Sequence, residues 1–263
     1  MTGRCLSPRT SDIRTVPLYA VNCLVYKKSV SRYSKGMDFR LHTIYNANEA
    51  KGLVVVIDVL RACTTMCYVF QNGAKIIFPV TEVDDAFHLK KEMPEALLLG
   101  ERYGLPIEGF DFPNAPSQIQ KTDFSNKKII MTTSAGTRGI TAATGADEII
   151  TGSFVNAGAI ASYITHKQTP LVSFICTDIY GFDHEDYLCA SYIQSILEEN
   201  PRNFNIMKQY LIDTPHSDGF IHNPLTPYAP KDFELCLQTN VFPFVIKAEK
   251  TNQRMQLTKV NVV

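Results

Sequence analysis

The run Leu53-Val-Val-Val-Ile-Asp58 constrains the fold more than any other stretch of the chain. Five consecutive apolar residues, mostly β-branched, suit a strand buried on both faces, the habit of parallel sheets covered by helices. The carboxylate that ends the run then stands where open parallel sheets bind ligands, beyond the carboxyl ends of the strands.

The rest of the pattern agrees with an α/β protein: a mostly parallel sheet flanked by helices, from Met37 onward. Phe39–Ile44 reads as an edge strand. A helix from about Thr64 stops at Asn72-Gly73, where glycine accepts the left-handed conformation of a helix end. Strands are predicted at Lys75–Val80, Ala96–Leu99, Lys128–Met131, Glu148–Ile150 and Leu171–Cys176. Helices are predicted at Val83–Met93, from about Asn156 to His166, and at Glu185–Glu199. In the last of these, Leu188, Tyr192, Ile193, Ile196 and Leu197 share one face, with Ser191, Gln194 and Ser195 off it. Past Pro201 the pattern degrades; 213–230 reads as loop before a last element, Asp232–Leu237. The stretch Gly100–Pro116 is too long and too rich in Gly and Pro for a routine connection, and is a functional candidate.

Charge divides the chain. Residues 1–36 hold seven bases and one acid, leaving 19 bases and 25 acids in the remainder, although the total is balanced. An acidic body speaks against nucleic-acid binding, which needs a basic face. No apolar run approaches the roughly 18–20 residues of a membrane helix. Seven cysteines at irregular spacing fit a reducing compartment rather than a disulfide scaffold. Three readings stay open for the basic stretch: a signal peptide, an organellar transit peptide, or an extension with Met37 as the natural start. The cytoplasm is the expected compartment, with organellar import open if the stretch is a targeting segment. A homo-oligomer is also left open.

Polar groups gather after the predicted strands: Asp58 and Arg61; Glu101 and Arg102, with Asp111 and Asn114 further along the loop; Thr132, Thr133, Ser134, Gly136, Thr137 and Arg138; Ser153 and Asn156; Asp178, then Glu185 and Asp186. Such a set suits a hard cation with an anionic substrate. Mg²⁺ takes carboxylate oxygens together with substrate phosphate and water. Arginine grips oxyanions in pairs, and a Gly-containing turn before a helix cradles them. Together these favour phosphoryl transfer, where positioning and charge neutralisation dominate. Each residue also has a plainer role open to it. Asp58 can end a strand or cap the next helix, Glu101-Arg102 can be a solvated pair, and Thr132–Arg138 an ordinary turn. Glu185 and Asp186 can complement a helix dipole behind an N-cap at Asp183. Cys63 and Cys67 share a helix face, which reads as core packing.

Other phosphatase chemistries lack their signatures. No cysteine has an arginine six residues on, and Asp-x-Asp and Arg-His pairs are absent, as are the Walker loop and Gly-x-Gly-x-x-Gly. Metal-assisted chemistry by scattered carboxylates remains.

Six segments in order carry a resemblance. They are Val55-Val-Ile-Asp-Val-Leu-Arg-Ala-Cys-Thr-Thr65, Gly100-Glu-Arg-Tyr-Gly-Leu-Pro-Ile-Glu-Gly-Phe-Asp-Phe-Pro-Asn-Ala-Pro116, Met131-Thr-Thr-Ser-Ala-Gly-Thr-Arg138, Gly152-Ser-Phe-Val-Asn156, Glu185-Asp-Tyr-Leu-Cys-Ala190 and Asp232-Phe-Glu-Leu-Cys-Leu237. The chain resembles the 2-phosphosulfolactate phosphatase family of coenzyme M biosynthesis from about Met37 to Val245. The resemblance implies a Mg²⁺-dependent hydrolase that turns 2-phospho-3-sulfolactate into 3-sulfolactate and phosphate, with two lobes around a cleft. On this reading Asp58, Glu101, Arg61 and Arg138 are catalytic. Asp58, Glu101 and Asp186 hold the metal. Arg102, Thr132, Thr133, Gly136, Thr137, Ser153, Asn156, Asp111 and Asn114 bind substrate. The sequence departs from the family pattern at Ser134-Ala135, where Thr-Asn is usual, at Cys176–Tyr180 and at Asp183, and the region after Pro201 is shortened. Phosphatase action on another small phosphorylated acid, or an inactive anion-binding relative, are the rival readings.

Overall fold

The chain is described by a computed structural model over residues 36–177, 184–214, 229–252 and 254–262. Residues 1–35 of the basic stretch, Asp178, Asp183 and most of the 213–230 segment lie outside the described residues.

Strand β2 (Leu53–Ile57) is buried at all five positions and pairs in parallel on both sides, with β8 (Glu148–Gly152) and β9 (Leu171–Cys176). Its alternation feeds two cores. Val54 and Val56 face one that contains Met66, Cys67 and Phe70; Leu53, Val55 and Ile57 face another with Phe154, Ile160, Leu188 and Ile193. The predicted edge strand is β1 (Asp38–Thr43), which pairs only with β9 among the described strands.

Helix α1 (Ala62–Gln71) follows β2. Nine of its ten residues are buried, which an amphipathic surface helix never shows. Thr64, Thr65 and Val69 are indifferent helix formers, each costing up to about 0.7 kcal/mol relative to alanine. Burial of Met66, Val69 and Phe70, roughly 1.5–3 kcal/mol apiece, outweighs that cost. The helix ends as expected: Gly73 takes φ +95°.

Next come β3 (Ile76–Val80), α2 (Val83–Glu92), β4 (Leu97–Arg102), β5 (Leu105–Pro106), β6 (Phe112–Pro113), α3 (Pro116–Ile119), β7 (Lys128–Thr132) and α4 (Gly136–Ala142). β3, β7 and β4 form a second parallel set, whose Ile77, Ile129, Met131 and Leu99 join the α1 core. Then follow α5 (Ala157–Lys167) after β8, α6 (Glu185–Leu197) after β9, α7 (Phe204–Asp213) and α8 (Ala229–Cys236). In α6 the predicted face packs inward, but Ser195 is buried too, its hydroxyl donating to the Tyr192 carbonyl and accepting from the Arg202 N–H.

The region past Pro201 holds a finding. β10 (Phe244–Thr251) and β11 (Arg254–Asn261) form an antiparallel hairpin in the middle of the sheet, giving the order β1-β9-β2-β8-β10-β11-β3-β7-β4-β5. The two parallel sets are thereby halves of one mixed sheet, joined by the hairpin.

Candidate active site

Asp58 leaves the end of β2 and turns back over the start of α1. Its Oδ1 accepts from the Ala62 N–H at 2.9 Å, and its carbonyl from the Cys63 N–H at 3.0 Å. The plainer capping role is therefore real, but it engages only Oδ1. Oδ2 faces Gly136, where a Cβ would come within 2.7 Å of it and 2.6 Å of the Ala62 Cβ. Only glycine lets α4 approach so closely. Burial pushes the Asp58 carboxyl up to about 6; the Ala62 N–H draws it down, the Glu101 charge raises it, and the Thr177 hydroxyl and Arg61 lower it.

Glu101 and Arg102 are the last two residues of β4 rather than loop, because the chain folds straight back. Glu101 pairs with Pro106 and Arg102 with Leu105, around a two-residue turn of Tyr103 and Gly104. The buried Glu101 carboxylate accepts from the Ser134 N–H (2.6 Å), the Ser134 hydroxyl (3.0 Å) and the Gly104 N–H (2.7 Å). It thus ties the β4 turn to the turn after β7.

Arg61 closes the arrangement. Nη1 donates to Asp232 Oδ2 at 2.8 Å, and Nη2 to the Gly104 carbonyl at 3.2 Å. Both side chains of the ion pair are buried, and Asp232 Oδ1 also accepts from the Ser117 N–H. The ends of β2 and β4, the turn after β7, the start of α3 and helix α8 are all joined through these bonds.

Other candidates have different partners. Arg102 donates to the carbonyl of Thr81 and to Thr132 Oγ1 (2.8 Å). Thr133 and Thr137 bond each other: the Thr133 N–H donates to Thr137 Oγ1, the Thr137 N–H to Thr133 Oγ1, so these hydroxyls shape their turn. Arg138 is half exposed and paired with Glu82 at 3.1 Å, and among the described residues no hydrogen bond or ion pair joins it to Asp58. Asp111 accepts from the Leu98 N–H at 2.7 Å, satisfying a donor at the edge of β4 and folding the long loop onto that strand. Asn114 is buried beside the same edge, its N–H on the Gly100 carbonyl and its Oδ1 without a hydrogen-bond partner. Ser153 and Asn156 make a buried capping box, with Ser153 Oγ 2.6 Å from Thr64 Oγ1. Asp186 accepts from the N–H groups of Val59 (2.8 Å) and Thr177 (3.0 Å) and from the Thr177 hydroxyl; both oxygens brace the loops after β2 and β9.

Three contributors escaped the site reading. Asp232 sat in a recognised segment but far along the chain, and only the buried pair with Arg61 exposes its role. Thr177 directly follows β9, where strand-end logic pointed to the next residue instead. Ser134 was read among the polar groups after its strand and as a departure from the family pattern, but not as the partner of Glu101.

Among the described residues no three His, Cys, Asp or Glu side chains form a metal cage. The buried cysteines are packing: burial pushes the Cys63 and Cys67 thiols up, as it does those of Cys189 and Cys236. What the fold brings together is a pair of carboxylates within electrostatic reach of one another, beside an arginine fixed by a third.

The fold and this site define an α/β protein with an acidic and guanidinium cluster at converging strand ends. The chain belongs to the 2-phosphosulpholactate phosphatase family, whose model matches residues 40–251. It is 42% identical over 151 residues to a probable 2-phosphosulfolactate phosphatase of Caldicellulosiruptor saccharolyticus, covering 56% of this chain and 62% of that protein. A protein of the same description from Clostridium perfringens is 39% identical over 153 residues, again across 56% and 62% of the two chains. One from Clostridium acetobutylicum is 33% identical over 205 residues, covering 73% of this chain and 87% of its own. The match thus spans about three fifths of the first two relatives and most of the third.

Proposed function

We propose that this protein is a Mg²⁺-dependent phosphomonoester hydrolase that releases phosphate from 2-phospho-3-sulfolactate. The observation that carries the reading is the pairing of buried Asp58 with Glu101 beside an arginine locked by Asp232. Mg²⁺ is held by one or two carboxylates completed by substrate and water, so the donor set fits with Asp58 as holder, while Glu101, like Asp186, has both oxygens engaged by backbone donors. When bound, the ion would offset the charge of these carboxylates and of the phosphoryl oxygens. Asp186, with both oxygens engaged by backbone donors, acts as scaffold.

The chain's own groups supply the rest. Arg61 stays charged and oriented because Asp232 grips it, and so presents a fixed cation to an anionic substrate. Asp58 Oδ2, the oxygen that the Ala62 N–H does not engage, is the atom that orients the attacking water and takes its proton. Glu101 holds the β4 and β7 turns at the spacing the substrate needs. Arg102 is anchored on Thr132 and on the Thr81 carbonyl. The protein works in the cytoplasm in this reading, in coenzyme M biosynthesis; no helix among the described residues is long and apolar enough to cross a membrane.

The test is phosphate release from 2-phospho-3-sulfolactate with Mg²⁺, against a chelator control and the Asp58→Asn variant. Turnover that needs the metal and vanishes in the variant supports the reading; chelator-resistant turnover, or none, overturns it. The Ser134 bonds to Glu101 and Tyr103 favour one second reading, a different phosphorylated hydroxy acid, because they shape the turn where this chain departs from the family pattern. A panel of such acids ranked by kcat/KM separates the two.

A further inference from the structure

Tyr103 occupies a position that neither its backbone nor its packing gives it a reason to hold. It is the first residue of the two-residue turn between β4 and β5, with φ +52°, and Gly104 follows at +77°. A hairpin turn with both central residues left-handed favours Asn-Gly, Asp-Gly or Gly-Gly. A tyrosine there is conformationally costly. Its side chain recovers nothing from packing, being 90% exposed, the most exposed of the chain's large apolar residues described. Backbone and ring are both unfavourably placed by the fold itself.

The surroundings say what the ring is for. The Tyr103 N–H donates to Ser134 Oγ at 2.8 Å, and that hydroxyl is bonded to Glu101. The next residue's N–H also reaches Glu101, and its carbonyl takes the Arg61 guanidinium. Tyr103 is therefore pinned by its backbone to the acidic and guanidinium cluster, while its side chain stands out in solvent. Leu105, 37% exposed on the returning strand, extends the same small apolar tip.

We propose that Tyr103 is a substrate-binding residue: its ring folds over the anionic phosphoester held at the Asp58–Glu101–Arg61 cluster and covers it. The phosphatase reading enters only through the choice of substrate. A ring covering the ligand shields the ionic contacts beneath it from water, which strengthens them. It adds to binding without touching the transferred oxygen, so its loss is read in KM rather than kcat.

The decisive variant is Tyr103→Asn, which suits the turn better than tyrosine and removes the ring. Its melting temperature is expected to rise by about 2–4 °C, while KM for 2-phospho-3-sulfolactate increases about tenfold with kcat held within twofold. Tyr103→Phe, which keeps the ring, should restore KM to within about threefold of wild type. A purely structural tyrosine would give the reverse, a lower melting temperature with KM unchanged, and that result overturns the proposal; so does a Phe variant as weak as the Asn one. Calorimetric titration with inorganic phosphate separates this proposal from the phosphatase reading. A wild type that binds phosphate without turning over the ester, and loses affinity in Tyr103→Asn but not in Tyr103→Phe, sinks the activity and keeps the ring's role. A wild type that neither turns over the ester nor binds phosphate overturns both.

Discussion

Asp58→Asn should make the protein more stable at neutral pH while stopping its chemistry. Burial raises the Asp58 carboxyl from the ordinary 3.8 to about 6, so the folded state holds a proton that the unfolded chain releases. A group shifted upward contributes stability that is complete below the unfolded value and is lost as pH rises through the folded one. Between pH 4 and pH 7 the wild type therefore forfeits on the order of 3 kcal/mol at this one site. Asparagine keeps an oxygen for the Ala62 N–H and carries no charge, so the variant escapes the loss. Its advantage should be near zero at pH 4, climb through pH 4–6 and level off above pH 7. Urea denaturation in the presence of a chelator, at half-unit steps of pH, reads the difference directly. Turnover in the same variant should fall at least a hundredfold, the usual scale for a lost acid–base group. A stability difference that stays constant across that range refutes the reasoning, because it would mean that Asp58 is not held against its charge.

Two further substitutions probe the frame around it. Asp232→Ala strands the buried Arg61 guanidinium and should cost about 3–5 kcal/mol in a denaturant titration, whereas the double variant Arg61→Met/Asp232→Leu should recover much of that. Gly136→Ala pushes a methyl against Asp58 Oδ2 and the Ala62 Cβ; a loss of roughly 1–3 kcal/mol in a circular dichroism melt is expected, together with loss of activity.

The sequence disclosed the elements whose signal is local. β2 announced itself by an unbroken apolar run, and α1 stopped where Gly73 permits a left-handed turn. Asp58 and Glu101 were picked out because open parallel sheets bind ligands beyond their strand ends, and the structure places both at strand ends. The central hairpin was missed although part of its signal was present. Arg254, Gln256, Thr258 and Lys259 interrupt Met255, Leu257 and Val260 in β11, and Asn252 stands in its turn at φ +49°. Two charged strands inserted between parallel sets contradict the expected alternation of strand and helix, so the pattern seemed to fade. α7 likewise carried a readable cap, the Asn203 side chain accepting from the Asn205 N–H. What no composition reveals is which polar side chain spends itself on the backbone. Asp111 and Asp186 look like ligand groups until the N–H donors of Leu98, Val59 and Thr177 are seen pointing at them.

That distinction also sorts the buried carboxylates by role. An ionised carboxylate in a low-dielectric interior is sustained by the donors around it, each charge-assisted hydrogen bond being worth about 1.5–3 kcal/mol. Asp186 has two backbone N–H groups and a hydroxyl, Glu101 the same complement, and Asp232 a guanidinium with one backbone N–H. Asp58 has one backbone N–H and a share of the Thr177 hydroxyl, and it faces the Glu101 charge. The fold could have spared itself this deficit by turning a second N–H toward Oδ2, as it does for the other three. Instead it packs Gly136 against Oδ2 so closely that no side chain fits between them. With fewer donors at its strand end, beside a fixed arginine, Asp58 keeps more capacity to bind a ligand than the three carboxylates whose donors are complete.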